Sequence, residues 1–222
     1  MSKPKVICIS GRARHGKDET GAYLKAILNE ADYPAVVMHN ADLLKFMCTN
    51  LFGWEGDKVG EAKYEVEGRR LNGRELLQYV GTDIVREQEP DIWVNFLIKE
   101  LDYFGHNWDY AIIPDCRFPN EIERFREEGY ETIYLKVYRP DFESNLTPEQ
   151  RQHSSETALD GYDPDILLIN SGTLDDLRDS CRRVLEDIED GQLIGCKAVY
   201  DAASGFRDLE AVVGLDDVGE DR

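Results

Sequence analysis

Lys5-Val-Ile-Cys-Ile-Ser10-Gly11-Arg-Ala-Arg-His-Gly16-Lys17-Asp18 decides how this chain is read. Lys5 to Ser10 is a short apolar run, the pattern of a buried strand. After the loop, Tyr23, Leu24, Ile27, Leu28 and Ala31 recur at the spacing of one helical face. Gly11 to Lys17 fits G-x-x-x-x-G-K, with Asp18 where Ser or Thr is usual. Glycines let the backbone curl until several N–H groups point at one phosphate, and the helix start adds a partial positive charge. Lys17 can bridge the outer phosphates. Gly11, Arg12, Ala13, Arg14, His15, Gly16, Lys17, Asp18 and Glu19 therefore form the expected triphosphate-binding segment, which is silent on what receives the phosphate. Asp18 has two open readings: it binds magnesium, directly or through water, or it caps the helix.

Outward from this loop, strands and helices alternate. Ala35 to His39, Tyr110 to Ile113, Thr132 to Tyr138 and Asp165 to Ile169 read as further strands. Leu43 to Phe52, Leu76 to Ile84 and Trp93 to Phe104 follow helical periodicity, the last with Pro90 near its start. A closing helix carries Leu174, Leu177, Cys181, Val184, Leu185 and Ile188, opened by Thr173 with Asp176 three positions on. The expected class is α/β: a five-stranded parallel sheet flanked by helices. One domain is expected over residues 1–190. Within it, 54–73 is a polar surface excursion and 139–164, with three prolines, is a polar stretch of little apolar periodicity. Residues 191–222 form an acidic appendage with seven acids against three bases, read as a loosely ordered tail. The alternative there is a short amphipathic helix carrying Phe206, Leu209, Val212 and Val213.

Asp115 ends the apolar run Tyr110 to Pro114. In nucleotide-binding sheets an acid so placed lies beside the phosphate loop and holds magnesium or its waters. Arg117, two residues on, can face the same crevice. Over its 222 residues the chain carries a formal charge of −19, which argues against stable binding to duplex nucleic acid but allows a small anion in a locally basic cleft. No run approaches a membrane span, and five scattered cysteines fit a reducing cytoplasm better than a disulfide framework.

Six segments together resemble the bacteriophage deoxynucleoside monophosphate kinases, within the P-loop kinases. They are Ser10 to Asp18, where the family's loop also tends to read G-K-D, Asn40-Ala-Asp-Leu-Leu-Lys45, and Arg74 to Asp83 continuing to Arg86 and Trp93. The others are Ile113-Pro-Asp-Cys-Arg-Phe-Pro-Asn-Glu121, His153-Ser-Ser-Glu156, and Ile169-Asn-Ser-Gly-Thr-Leu174. The resemblance spans roughly residues 5–190. It implies a P-loop kinase fold with 139–164 as a lid, and transfer of the terminal phosphoryl group of ATP to a deoxynucleoside 5′-monophosphate, with magnesium. A homodimer is an allowed state, and a phage origin would place the chain in the host cytoplasm.

The acceptor oxygen in such a reaction is already ionised, so many cations and few nucleophiles are expected. Arg12, Arg14, Lys17, Lys45, Arg69, Arg70, Arg74, Arg86, Arg117, Arg139 and Arg151 all lie in candidate site segments. By resemblance Lys17, Asp115, Arg117 and Arg151 are the expected catalytic set, and Asp18 and Asp115 the magnesium set. Asp42, Lys45, Arg70, Arg74, Arg86, Trp93, His153 and Glu156 are expected around the acceptor, although the helical spacing of Trp93 also reads as core. The alternatives are a P-loop kinase for another small acceptor, a nucleoside or coenzyme precursor, and an inactive nucleotide-binding switch.

Overall fold

Four consecutive residues of the first strand, Val6 to Ile9, are fully buried, because helices cover both faces of the sheet at this point. The computed structural model describes residues 3–56, 61–140, 142, 146–193 and 197–209. In chain order the elements begin with β1 (Lys5–Ser10), α1 (Lys17–Glu30), β2 (Ala35–Val37) and α2 (Ala41–Phe52). A hairpin of β3 (Tyr64–Val66) and β4 (Arg69–Leu71) precedes α3 (Gly73–Gln78), which runs on as a π-helical stretch, Tyr79–Arg86. Then come α4 (Ile92–Phe104), β5 (Tyr110–Ile113), α5 (Asn120–Glu127), β6 (Thr132–Tyr138), α6 (Pro148–Gln152) and α7 (Ser154–Thr157). The remaining elements are β7 (Ile166–Ile169), α8 (Leu174–Glu189), β8 (Ala198–Asp201) and β9 (Arg207–Asp208).

The central sheet runs β2-β5-β1-β6-β7-β8-β9, every pair parallel except β8 with β9. Alternation along β1 sorts its side chains. Ile7 and Ile9 pack with Leu24 and Leu28 of α1 and Leu177, Cys181 and Val184 of α8. Val6 and Cys8 pack with Leu97 and Leu101 of α4 and Ile122 and Phe125 of α5 on the other face. Each fully buried Leu or Ile contributes about 1.5–3 kcal/mol. A third cluster joins α2, α3, the hairpin and the π-helical stretch through Leu44, Cys48, Tyr64, Leu76, Val80 and Trp93.

Four expectations change. The sheet has seven strands, not five, because β8 pairs with β7 and β9 folds back on β8. The sheet thus crosses the boundary expected at residue 190. Ala-Val-Tyr-Asp was too short and mixed to read as a strand, yet Ala198 and Tyr200 are fully buried. Phe206 to Asp208 belong to a turn and a strand rather than a helix; Val212 and Val213 lie outside the described residues. The 54–73 excursion is structured in part, with Trp54, Tyr64 and Val66 buried beneath it. The closing helix opens as its sequence requires: Thr173 Oγ1 accepts the Asp176 N–H (3.2 Å) and Asp176 accepts the Thr173 N–H (2.8 Å). Among the described residues no helix is long and apolar enough to cross a membrane.

Candidate active site

β1 is flanked by β5 on one side and β6 on the other, so the loops after β1, β2, β5 and β7 gather at one end of the sheet. The loop after β1 is built from left-handed turns: φ is 147° at Gly11, 64° at Arg14 and 101° at Gly16. A Cβ on Gly11 would lie 2.3 Å from the Val137 carbonyl oxygen of β6, and one on Gly16 would lie 2.7 Å from Asn170 Nδ2. Both positions exclude any side chain. Gly11→Ala is therefore expected to cost about 1–3 kcal/mol in urea unfolding and to weaken triphosphate binding together with it. A variant of unchanged stability and affinity would contradict the close approach to β6.

Two neighbours fix the loop from behind. Asn170 Nδ2 donates to the His15 carbonyl (3.0 Å), and the buried His15 ring accepts the Arg139 N–H at Nδ1 (3.2 Å). Burial and the nearby Lys17 charge lower the His15 pKa to about 4, so the ring is neutral near pH 7 and structural. Gly16 begins α1 with no side-chain cap, which leaves the first-turn amides without a side-chain acceptor. Lys17 is buried, and its Nζ donates across the loop to the Arg12 carbonyl (2.9 Å). Arg12 itself turns to Asp160 (2.7 Å). Asp18 and Glu19 are exposed on the first turn of α1.

Beside this loop lies a cavity of about 120 Å³. Lys45, Arg74, Arg117 and Asp115 mark one part of its wall; Leu44, Leu77, Trp93 and Phe118 make it apolar elsewhere. Gln78 and Thr82 also line it. Arg74 is half-buried, and its nearest carboxylate is Glu156 at 4.0 Å. Arg117 pairs with Glu156 and donates to the Ser155 carbonyl (3.0 Å). A second hollow, lined by Gly11, Arg12, Arg117, Lys136 and Glu156, and a third, lined by Arg12, Ala13, His15, Arg151 and Glu156, reach the loop from the α6–α7 side. Glu156 borders all three.

Several expected residues take other places. Arg86 lines the cavity, but its guanidinium pairs with buried Glu121, donates to Pro90 O (3.1 Å), and lies 4.0 Å over the Phe118 ring. Its charge is already compensated. Trp93 is core, its Nε1 donating to the Gly81 carbonyl (3.1 Å). Arg70 lies exposed on β4 and does not line the cavity, because the hairpin turns that edge to solvent. Asp42 holds Lys45 (3.0 Å) rather than facing the cavity. His153 caps α7 by accepting the Ser155 N–H (3.2 Å) and sits 3.3 Å from Asp83. Arg151 donates to Leu146 O (3.1 Å) on the wall of the third hollow.

Asp115 does something its position alone did not suggest. Its two oxygens accept the Asn40 and Ala41 N–H groups (2.9 and 3.0 Å), tying the start of α2 to the end of β5. Among the described residues no group of three His, Cys, Asp or Glu side chains gathers around one point. Asp18 and Asp115 both act electrostatically on Lys17, and Asn40 Oδ1 is buried with no partner. An oxygen-only set of this kind suits magnesium, which keeps most of its waters and takes one or two carboxylates plus phosphate oxygens.

Sequence reasoning gave no individual site role to Asn40, Phe118, Glu121, Lys136 or Asn170, although all but Lys136 stand in the resembling segments. Only Asn170, following an apolar strand at the level of the loop, carried a signal of position. Glu121 is a buried carboxylate within a mostly charged helix, and its burial is invisible without the neighbouring Arg86.

A family model described as deoxynucleotide monophosphate kinase matches residues 56–181. Proteins called deoxynucleotide monophosphate kinase in Enterobacteria phage T4 and Escherichia phage RB69 are 35% and 31% identical over 115 and 114 residues. These stretches cover 51% and 50% of this chain and 45% and 44% of the two relatives, so the match spans less than half of their length. A solved structure of the APS kinase CysC of Mycobacterium tuberculosis with AMPPNP and APS aligns with a TM-score of 0.48 at 13% identity, over 85% of this chain and 99% of that one. The family match begins after the Gly11–Lys17 loop, whose reading stands on its own geometry.

Proposed function

The chain belongs to the deoxynucleotide monophosphate kinase family, and from that premise we propose that it transfers the terminal phosphoryl group of ATP to a deoxynucleoside 5′-monophosphate, giving ADP and the diphosphate. One observation carries the reading: a glycine loop of left-handed turns around a buried lysine opens beside a cavity whose wall holds Arg74, Arg117 and Lys45. An anion on each side of Arg117 would lie at the meeting point of these hollows.

The acceptor phosphate is ionised near neutral pH and requires no strong base. The protein's work is to hold two polyanions in line and offset their repulsion. In this reading the α1 amides and Lys17 take the triphosphate, while Arg74 and Lys45 take the acceptor phosphate. Arg117 stands between them, near the transferring group. Asp18 and Asp115 would hold magnesium, which supplies charge neutralisation on the phosphate oxygens when bound. Asp115 also fixes α2, so the wall that carries Lys45 is registered to the sheet end. Leu44, Leu77 and Phe118 offer an apolar seat for the base, and residues 139–164 act as the lid that excludes water. The partners are small nucleotides, and the setting is the cytoplasm, the host's if the chain is of phage origin.

An ATP-consumption assay against a panel of deoxy- and ribonucleoside monophosphates tests the proposal. Turnover is expected only with a monophosphate present; none with any member of the panel would overturn it. Arg74→Ala is expected to raise the KM for the monophosphate about tenfold or more and to leave the KM for ATP within about twofold. Equal damage to both constants would contradict the division of the cleft.

A further inference from the structure

Glu156 is buried, yet holding two polyanions requires no carboxylate at this place. One oxygen pairs with Arg117 and lies 4.0 Å from Arg74; the other, Oε2, is buried without a partner. Its charge also acts on Lys17. A single carboxylate thus faces the three cations that the phosphate chemistry requires, at the border of all three hollows.

We propose that Glu156 is an internal stand-in for substrate phosphate, neutralising Lys17, Arg74 and Arg117 before substrate binds and giving way, with α7, when the first polyanion arrives, so that the lid closes over both substrates only after this exchange. The idea rests on the reading of this cleft as a phosphate site and adds a competitor to it. A fixed negative charge among these cations opposes a second anion through the same Coulomb term that attracts it to them. An unpartnered buried oxygen makes the carboxylate's own placement costly, so the exchange for phosphate is not resisted by a fully satisfied network.

The anchoring of the cover supports this. α6 buries no side chain, and Glu156 is the only buried residue of α7. Within the two short helices polar contacts face the loop, with Arg117 on the Ser155 carbonyl (3.0 Å) and His153 3.3 Å from Asp83, while buried Leu146 and Leu159 anchor the chain on either side. When Arg117 turns to a phosphate, α7 loses its Glu156 and Ser155 contacts together and is free to move between its flanking segments. Glu156 thereby couples occupation of the cleft to movement of its cover.

Calorimetric titration of the full chain with inorganic pyrophosphate, without metal, tests the proposal independently of turnover. Glu156→Gln keeps the shape and removes the charge, and is expected to bind pyrophosphate about tenfold tighter or more, roughly 1.4 kcal/mol. Equal or weaker binding would show that Glu156 only orients the arginines, and would overturn the idea. A second measurement uses the unaltered protein and does not depend on the variant folding. Hydrogen exchange at the Glu156 and Ala158 amides, bonded to His153 O (2.8 Å) and Ser154 O (2.9 Å), is expected to quicken when pyrophosphate binds. Unchanged or slower exchange would mean that α7 stays in place, which equally sinks the proposal. Tighter pyrophosphate binding alongside no turnover on any monophosphate would instead remove the kinase reading and leave this one standing.

Discussion

Replacing Lys17 with methionine is expected to lower phosphoryl transfer by at least about 10²–10³-fold while leaving the fold intact or firmer. The rate loss follows from position. Lys17 Nζ sits inside the loop on the Arg12 carbonyl, a buried ammonium that can follow a triphosphate's charge as it redistributes. The gain in stability follows from its cost. Burial, and then the Arg117 charge, lower its pKa from 10.5 to about 8. A folded-state pKa below the unfolded one means that charged Lys17 opposes folding. That penalty is fully present below about pH 8 and is relieved as the pH rises towards 10.5. At pH 7 it is on the order of 3 kcal/mol. Urea unfolding should therefore show the methionine variant more stable than the parent at pH 7, with the gap narrowing by pH 9.5. Triphosphate binding near pH 9 should take up a proton, seen as a buffer-dependent heat, because the anion restores the lysine's charge. A variant that retains its rate, or that unfolds more easily at pH 7, would contradict this placement.

Arg86→Ala is the second large effect, and it falls on stability. Arg86 and Glu121 form a buried pair, with the Glu121 side chain 2% exposed. Glu121 also accepts the Arg117 N–H (2.6 Å) and Phe118 N–H (3.3 Å), so it shapes the turn that presents Arg117. Burial already pushes its carboxyl pKa upward against these partners. Removing the arginine leaves an uncompensated buried charge, a loss of about 3–5 kcal/mol in urea unfolding. Replacing both residues, as Arg86→Met with Glu121→Gln, should recover a substantial part of that loss. A single variant that loses acceptor affinity but no stability would restore the direct phosphate role expected from sequence.

The legible parts of the fold were those where one local pattern settles the answer. Val6 to Ile9 could only be a doubly covered strand, and the glycine spacing fixed the turn into α1. Thr173 with Asp176 announced α8 because a capping box is local chemistry. The parts that escaped depend on distant partners. Ala198 and Tyr200 become a strand only because β7 offers an edge to pair with. In the site, Lys17 and Arg117 were legible because the loop and a strand end place them. Arg86 and Asp115 both line the cavity, but no spacing tells that Glu121 and the α2 amides wait for them. Glu156 was legible only as part of a resembling segment; its burial among cations is a tertiary fact.

The widened turns at Tyr79–Arg86 leave one more lesson, about insertions and deletions. A π-helical stretch arises where a helix carries one residue more than its ladder can use. Losing a single residue there would restore the ordinary ladder and leave the chain on either side in nearly its present register, because the widened turns already absorb the surplus residue. Arg86, at the end of the stretch, would stay opposite Glu121, whereas the Gly81 carbonyl, inside the widened turns, would shift from the Trp93 indole. Homologues that vary in length along this segment should therefore differ by one residue without a compensating change elsewhere, the widened turns being lost or kept as a unit.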